Sequence, residues 1–295
     1  MTLAAADVGT NSCRLLIAEI IDGKLITLFK KVVSTRLGEG VAESGWLHPE
    51  AISRTVDCLL NFRDIIAGYR CEWARVVATS AVREAANRDD FLAVAEADTG
   101  LKVEVISGSE EAQLSYLGVL RGLDFEQPPL VVDMGGGSTE FIIPGQPGGI
   151  FTVRVGAVNA TEAELSAAEM WSRLEEVLAL GRAARHLPLA AVGGTPTTLV
   201  AIKEGLAEYD PDLVHGHRLS RQDVAELYAM LEAMPLGLRR RLPGLQPERA
   251  DIIVKGALLL LVIMEGLQRD SLVVSESDLL EGIIWQRACD ITCSF

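Results

Sequence analysis

The sequence predicts an α/β protein in which one β-rich unit is written twice. Two glycine turns carry that prediction. The first sits in Leu3-Ala-Ala-Ala-Asp7-Val-Gly9-Thr-Asn-Ser12-Cys-Arg14-Leu-Leu-Ile17, the second in Leu130-Val-Val-Asp133-Met-Gly135-Gly-Gly-Ser138-Thr-Glu140-Phe-Ile-Ile143. Each is an apolar run ending in Asp-x-Gly, then a small polar turn, then a second apolar run. That is the pattern of a β-hairpin whose tip must come close to something else. The third observation concerns the chain after each hairpin. A further strand comes next, then helices alternating with strands, which makes a mixed sheet covered by helices. Asp133 lies 126 positions after Asp7 in a chain of 295 residues, so the repeat takes about half its length.

The first hairpin runs on through Leu15 to Ile20, turns at Asp22-Gly23 and adds a third strand over Leu25 to Val33. Pro49 to Ala67 has helical spacing, with Ile52, Val56, Leu59, Leu60 and Phe62 on one side. A strand (Arg75 to Ala78), a helix from about Ala81, a strand (Val103 to Ile106) and a helix from about Glu110 to Leu120 come after it. Asp124 to Pro129, with its Pro128-Pro129 pair, is the candidate boundary, giving domains of 1–124 and 125–295. The final helix is free to pack back on the first of them. Beyond the boundary the order restarts with a hairpin, a third strand near Ile150 to Arg154, helices and a strand (Leu189 to Val192). The stretch after Gly216 reads as mostly helical, with a last strand (Leu272 to Val274) and a helix from about Asp278.

Composition narrows the function classes. Apolar residues make up 49% and charged residues 23%, which specifies a globular chain rather than a disordered one. The formal net charge of −14 argues against a general nucleic-acid or membrane-surface binder, which needs clustered Lys and Arg. A polyanionic substrate must then be met by local arginines and a metal. The run Arg239 to Arg241 reads as a solvated helix face. The five cysteines (Cys13, Cys58, Cys71, Cys289 and Cys293) are odd in number and lack Cys-x-x-Cys spacing, so reduced thiols in a cytoplasm are expected. Asp7 interrupts the first apolar stretch and no basic segment precedes it, so no signal peptide is expected. Ala257 to Met264 is far shorter than the roughly 20 residues of a membrane span and reads as a buried helix.

The turns themselves suggest phosphate and Mg²⁺. Glycine lets a backbone N–H approach an oxyanion with no Cβ in the way, and consecutive turn amides form an anion-binding concavity. An Asp at the start of such a turn is placed to hold a hard cation beside that anion. With four residues in each tip, strand pairing sets Asp7 opposite Arg14 and Asp133 opposite Glu140. Directly opposed side chains share a face, with Cβ atoms roughly 5 Å apart. Two carboxylates so held repel unless a proton or cation lies between them, whereas an Asp/Arg pair compensates itself. One hairpin therefore reads as the metal end and the other as the anion end.

Three strand-to-helix junctions add weaker signals. In Val192-Gly193-Gly194-Thr195-Pro196, Thr195 suits an N-cap and Pro196 the first helical position, and such an N-terminus is a ready phosphate site. Thr79-Ser80-Ala-Val-Arg83 offers free amides and an arginine. Ser107-Gly108-Ser109-Glu110-Glu111 opens a helix with two acids, which on local grounds alone answer the helix dipole. His215-Gly-His217 lies in a polar loop before a Ser220-x-x-Asp223 cap and is rejected as a metal site. No Gly-x-Ser-x-Gly, His-Glu-x-x-His, Walker A or Gly-x-Gly-x-x-Gly pattern is present, and nothing points to a covalent nucleophile.

Taken in order, these motifs resemble the Ppx/GppA family of exopolyphosphatases and guanosine pentaphosphate phosphohydrolases. The residues that carry the resemblance are Asp7 to Arg14, Ala78 to Arg83, Ile106 to Ala112, Val132 to Glu140, Val192 to Thr195, and Leu242-Pro-Gly-Leu with Glu248-Arg-Ala-Asp251. The resemblance implies duplicated actin-like (ribonuclease H-like) domains, each a mixed sheet with flanking helices, and an active site in the interdomain cleft. It implies Glu111 as general base for a water attacking a terminal phosphoryl group. Asp7, Asp133 and Glu140 would hold Mg²⁺ (or Mn²⁺) or position the water. Gly9, Thr10, Asn11, Ser12, Gly135, Gly136, Gly137, Ser138, Thr139, Gly194 and Thr195 would cradle phosphates, with Arg14 and Arg83 as clamps. Polyphosphate or guanosine pentaphosphate is the implied substrate, and a homodimer is an assembly open to the chain. A base at a helix N-terminus carries a tension, since the dipole favours its charged form. One segment departs from the family pattern: Ser275-Glu-Ser-Asp278-Leu-Leu280-Glu-Gly282 has Asp278 and Leu280 where Gly and Arg are usual. The replacement removes flexibility and a cation and adds an anion, which counts against a phosphate contact there and against a preference for long polyphosphate. The other readings are a (p)ppGpp-binding sensor without turnover, and a small-molecule kinase needing an adenosine pocket behind Gly193-Gly194.

Overall fold

β1 (Thr2–Val8), β2 (Cys13–Ile21) and β3 (Lys24–Val33) form an antiparallel meander in the computed structural model, which describes residues 1–146 and 148–292. Cys293 lies outside the described residues. β4 (Trp73–Ala78) joins β1 in parallel and β5 (Val103–Val105) joins β4, giving the order β3-β2-β1-β4-β5. β1 is the middle strand, and its Leu3 to Val8 are buried throughout, as a strand covered on both faces must be. β3 is the edge, and it carries Lys24, Lys30 and Lys31, which discourage edge-to-edge pairing. The turn between β2 and β3 puts Asp22 (φ 51°) and Gly23 (φ 73°) in the left-handed region, the geometry that an Asp-Gly hairpin favours.

The second sheet repeats this order. β6 (Leu130–Met134), β7 (Thr139–Ile142) and β8 (Ile150–Val153) form the meander. β9 (Leu189–Val192) and β11 (Ser271–Val274) take the places of β4 and β5, while β10 (Arg218–Ser220) adds an antiparallel edge, for an order β10-β11-β9-β6-β7-β8. Three residues are too few to show an alternation, so β10 went unread in the sequence.

The chain divides into two compact units, Met1–Gly118 together with the final helix from Leu279, and Val119–Asp278. In the first, helix Pro49–Gly68 buries Ala51, Thr55, Val56, Cys58, Leu59 and Phe62, and Ile52 and Leu60 are only half-buried. The final helix, Leu279–Thr292, packs Leu279, Leu280, Ile283 and Ile284 against Leu3, Leu16, Val77 and Leu114. A Cβ on Gly282 would lie 1.9 Å from the Leu114 carbonyl oxygen, so only glycine allows that approach. Leu280, standing where the family usually has arginine, is thus a core residue. In the second unit, helix Ile253–Gly266 is apolar on nearly every side and buried accordingly, as expected for Ala257 to Met264.

The Arg239 to Arg241 run corrects one expectation. Arg239 donates to three backbone carbonyls, from Nε to Leu231 (3.1 Å), from Nη1 to Ala250 (2.7 Å) and from Nη2 to Met234 (2.8 Å). It is a clamp holding loop carbonyls, not a solvated charge. Among the described residues no helix is long and apolar enough to cross a membrane.

Candidate active site

Both hairpin tips have the same backbone. The last β1–β2 pair is Val8 with Cys13, and the last β6–β7 pair is Met134 with Thr139, so each tip holds four residues. Gly9 N–H donates to the Ser12 carbonyl (3.1 Å), and Gly135 N–H to the Ser138 carbonyl (3.0 Å). A Cβ on Gly9 would sit 2.9 Å from Ser12 O, and one on Gly135 3.0 Å from Ser138 O.

The chain after the third strand braces each tip from behind. Gly38 N–H reaches the Thr10 carbonyl (2.8 Å) and Arg36 N–H the Asn11 carbonyl (2.9 Å). In the second unit Ala157 N–H reaches Gly135 O (3.1 Å), Val158 N–H reaches Gly136 O (2.8 Å), and Asn159 Nδ2 reaches Gly137 O (2.6 Å). Carbonyls so engaged are kept from confronting an anion at the tip. Two glycines make the bracing possible. A Cβ on Gly38 would meet Thr10 Cγ2 at 2.3 Å, and one on Gly156 would meet Gly136 O at 2.4 Å. Sequence reasoning missed this pair, whose signal is a glycine soon after the third strand of each repeat.

Strand register sets Asp7 opposite Arg14 and Asp133 opposite Glu140, as the four-residue tips require. Arg14 donates from Nε (3.0 Å) and Nη2 (2.9 Å) to Asp7 Oδ2, an ion pair in which the Asp7 side chain is 5% exposed. Glu140 is 1% exposed and accepts the Ser138 hydroxyl at 2.8 Å, while Asp133 is half-buried. The Thr139 hydroxyl donates to the Val155 carbonyl (2.6 Å), and Asn11 Nδ2 donates to Ser12 Oγ (3.1 Å). Among the described residues no three or more His, Cys, Asp or Glu side chains gather into a ready metal cage. The Asp133/Glu140 pair still suits Mg²⁺, which takes oxygen donors and is commonly held by one or two carboxylates plus waters and substrate phosphates.

The third glycine turn lies beside the second tip, because Asp133 pairs with Val192 in parallel. Here the expected cap shifts. Gly193 is the N-cap, with φ 101°, and the helix begins at Gly194, so Thr195 and Pro196 fall inside it. A Cβ on Gly193 would lie 2.4 Å from the Met134 carbonyl oxygen, which leaves glycine as the residue for this turn. A Cβ on Gly194 would lie 1.7 Å from Arg249 Nη1, so a guanidinium rests on the turn. The sequence showed Arg249 as part of a motif and gave it no role. Nearby, the Tyr209 hydroxyl donates to Glu276, and burial with that negative charge pushes the phenol well up. Glu276 N–H donates to His215 Nδ1 (3.1 Å), which leaves the other ring nitrogen to donate to Gly122 O (2.8 Å).

In the first unit the two consecutive glutamates part company. Helix Gly108–Gly122 carries both in its first turn. Glu110 pairs with Arg75 at 2.7 Å on the exposed side, whereas Glu111 is 12% exposed and accepts from Arg83 Nη1 at 3.0 Å. The same Arg83 nitrogen donates to the Ile106 carbonyl (3.0 Å), which fixes the guanidinium beside the carboxylate. Arg83 and Glu111, expected as clamp and base, are therefore held together.

This is a duplicated actin-like α/β fold whose glycine tips, opposed carboxylates and Arg-fixed glutamate suit phosphate chemistry. The chain belongs to the Ppx/GppA phosphatase family, whose model matches residues 16–289. It is 35% identical to exopolyphosphatase 2 of Mycobacterium tuberculosis, over 95% of this chain and 97% of that one. It is 34% identical to a bifunctional 3-dehydroquinate synthase/phosphatase of Fusobacterium nucleatum, over 95% of this chain; it spans 46% of that protein, about half its length. The crystal structure of the Aquifex aeolicus family member matches with a TM-score of 0.77 at 30% identity, covering 98% of both chains.

Proposed function

We propose that this chain is a Mg²⁺-dependent phosphohydrolase that removes the terminal orthophosphate from inorganic polyphosphate, with guanosine pentaphosphate as the competing substrate. The observation that carries the reading is the contrast between two equivalent hairpins, one closed by an Asp/Arg ion pair and the other by two opposed carboxylates. A protein of net charge −14 admits a polyanion only where local cations and a metal offset its field.

Glu111, oriented by Arg83, takes a proton from water as the water oxygen attacks the terminal phosphorus. The bridging P–O bond breaks, and its electron pair leaves on the shortened chain. Arg14 and Arg83 face the equatorial oxygens, and tip amides of Gly9 to Ser12 and Gly135 to Ser138 cradle neighbouring phosphates. Asp133 and Glu140, with Asp7, are the residues assigned to Mg²⁺ (or Mn²⁺), which would neutralise phosphate charge.

The test is phosphate release from polyphosphate and from pppGpp with Mg²⁺, comparing wild type with Glu111→Gln. A drop in kcat of roughly 10²–10⁴-fold with KM little changed is expected on losing a general base. Binding of pppGpp without any release by wild type would sink the hydrolase and leave a sensor. Consumption of polyphosphate only with ADP present would make the chain a kinase.

A further inference from the structure

Among the described residues, five that are not glycine have a left-handed backbone: Asp22, Arg36, Arg70, Glu164 and Gln268. Four stand where such a conformation is ordinary. Asp22 is in the β2–β3 hairpin turn, and Arg70, Glu164 and Gln268 each come directly after a helix cap. Arg36, with φ 51°, is at neither kind of place. It lies just beyond β3, in the segment that braces the first tip.

The backbone around it is pinned on both sides. Thr35 is buried and its carbonyl accepts from Arg54 Nε (3.0 Å), and Leu37 is fully buried. Between them, Arg36 N–H holds the Asn11 carbonyl (2.9 Å), and its own carbonyl accepts from Glu39 N–H (3.2 Å). The left-handed residue turns the chain from β3 onto the tip. Glycine or asparagine would do that without strain, and strain kept at a non-glycine position marks functional segments. The residue in place is instead a half-buried arginine, one residue before a core leucine and anchored by its own N–H to the tip. In a protein of net charge −14, an arginine whose backbone is anchored to the tip brings a positive charge close to it, as recognition of a polyanion requires.

We propose that Arg36 contacts a phosphate of the substrate, carried there by the loop that braces the first tip. The proposal rests on the phosphohydrolase reading and adds a residue that neither the turn motifs nor the strand register supplied. The experiment compares wild type, Arg36→Gly, Arg36→Lys and, as a control of the same backbone class, Arg70→Gly. Measured are Tm, the kinetics of phosphate release from polyphosphate, and the Kd of tripolyphosphate by calorimetry.

Because glycine accepts this backbone, Arg36→Gly is expected to fold, with KM and Kd raised at least tenfold and Arg36→Lys in between. Arg70→Gly is expected to leave both constants at the wild-type value. Unchanged KM and Kd in Arg36→Gly would overturn the proposal, whatever its Tm; a lower Tm with unchanged constants would make Arg36 an internal ion-pair partner only. If wild type binds tripolyphosphate but releases no phosphate, the hydrolase reading fails while the Kd comparison still decides the role of Arg36. If wild type binds none, both are overturned.

Discussion

In the first unit Asp7 faces Arg14 across β1 and β2; in the second, Asp133 faces Glu140 across β6 and β7, at the same place in the same hairpin. The frame behind the difference is shared. Each tip has four residues, opens on a glycine that lacks room for a Cβ, and is held from behind by the chain after the third strand. Duplication has kept the backbone device and changed the sign of one side chain. The lesson is a difference in charge: the first tip carries its own cation in Arg14, whereas the second opposes two carboxylates, the arrangement on which the proposed Mg²⁺ assignment rests.

The sharpest way to break that comparison is to remove one partner from each pair. Arg14→Met leaves Asp7 buried without its guanidinium, which is expected to cost about 3 kcal/mol in urea unfolding; the partial exposure of Arg14 holds this to the low end of the range for buried pairs. Glu140→Gln relieves a repulsion instead, and in the absence of divalent ions it is expected to leave stability equal to or above wild type. Equal losses in the two variants would refute this reading of the two tips.

Mg²⁺ gives a slightly smaller readout. At 100 times its Kd the metal is expected to stabilise wild type by about 2.7 kcal/mol, seen as a rise in Tm, and to have no such effect on Glu140→Gln or Asp133→Asn. A Tm response that survives in both variants would place the metal elsewhere.

The tip glycines test what the two hairpins have in common. Gly9→Ala and Gly135→Ala each force a methyl group against a serine carbonyl, at 2.9 and 3.0 Å. Each is expected to cost about 1–3 kcal/mol, by nearly the same amount in the two units. A large difference would mean that the two tips are not equivalent supports.

How far the sequence revealed this depends on what kind of contact is at issue. The opposed pairs were legible because a strand has period two, so a four-residue tip fixes every partner beyond it. The helix start at Gly193 was misplaced by two residues, since Thr195-Pro196 carries a local cap signal. What overrides it is tertiary: the Met134 carbonyl on the neighbouring strand leaves no space for a side chain at Gly193. Arg239 was misread for the same reason, because the carbonyls of Leu231, Met234 and Ala250 converge on it only in the fold. Glu110 and Glu111 are chemically alike in sequence, and only their partners, Arg75 and Arg83, tell them apart. Arg36 was invisible because a φ angle leaves no trace in a residue name.

The second unit also carries what the first lacks, strand β10 and the helix Arg221–Ala233 directly after it, and the joint between them titrates. Asp223 accepts the Ser220 N–H (2.8 Å) and hydroxyl (2.7 Å) and pairs with Lys203 at 3.0 Å. Burial works against its charge, but these donors together hold the carboxyl below the ordinary aspartate value of 3.8. A depressed pKa stabilises the fold above the unfolded value, and that contribution is lost as pH falls through the folded one. The side chain is partly exposed, so the contribution is expected to be under about 1 kcal/mol. Hydrogen exchange should therefore show β10 and its helix opening more readily as pH falls below about 4. Asp223→Asn should remove most of that pH dependence; if it persists, the acid sensitivity of the added elements lies outside this cap.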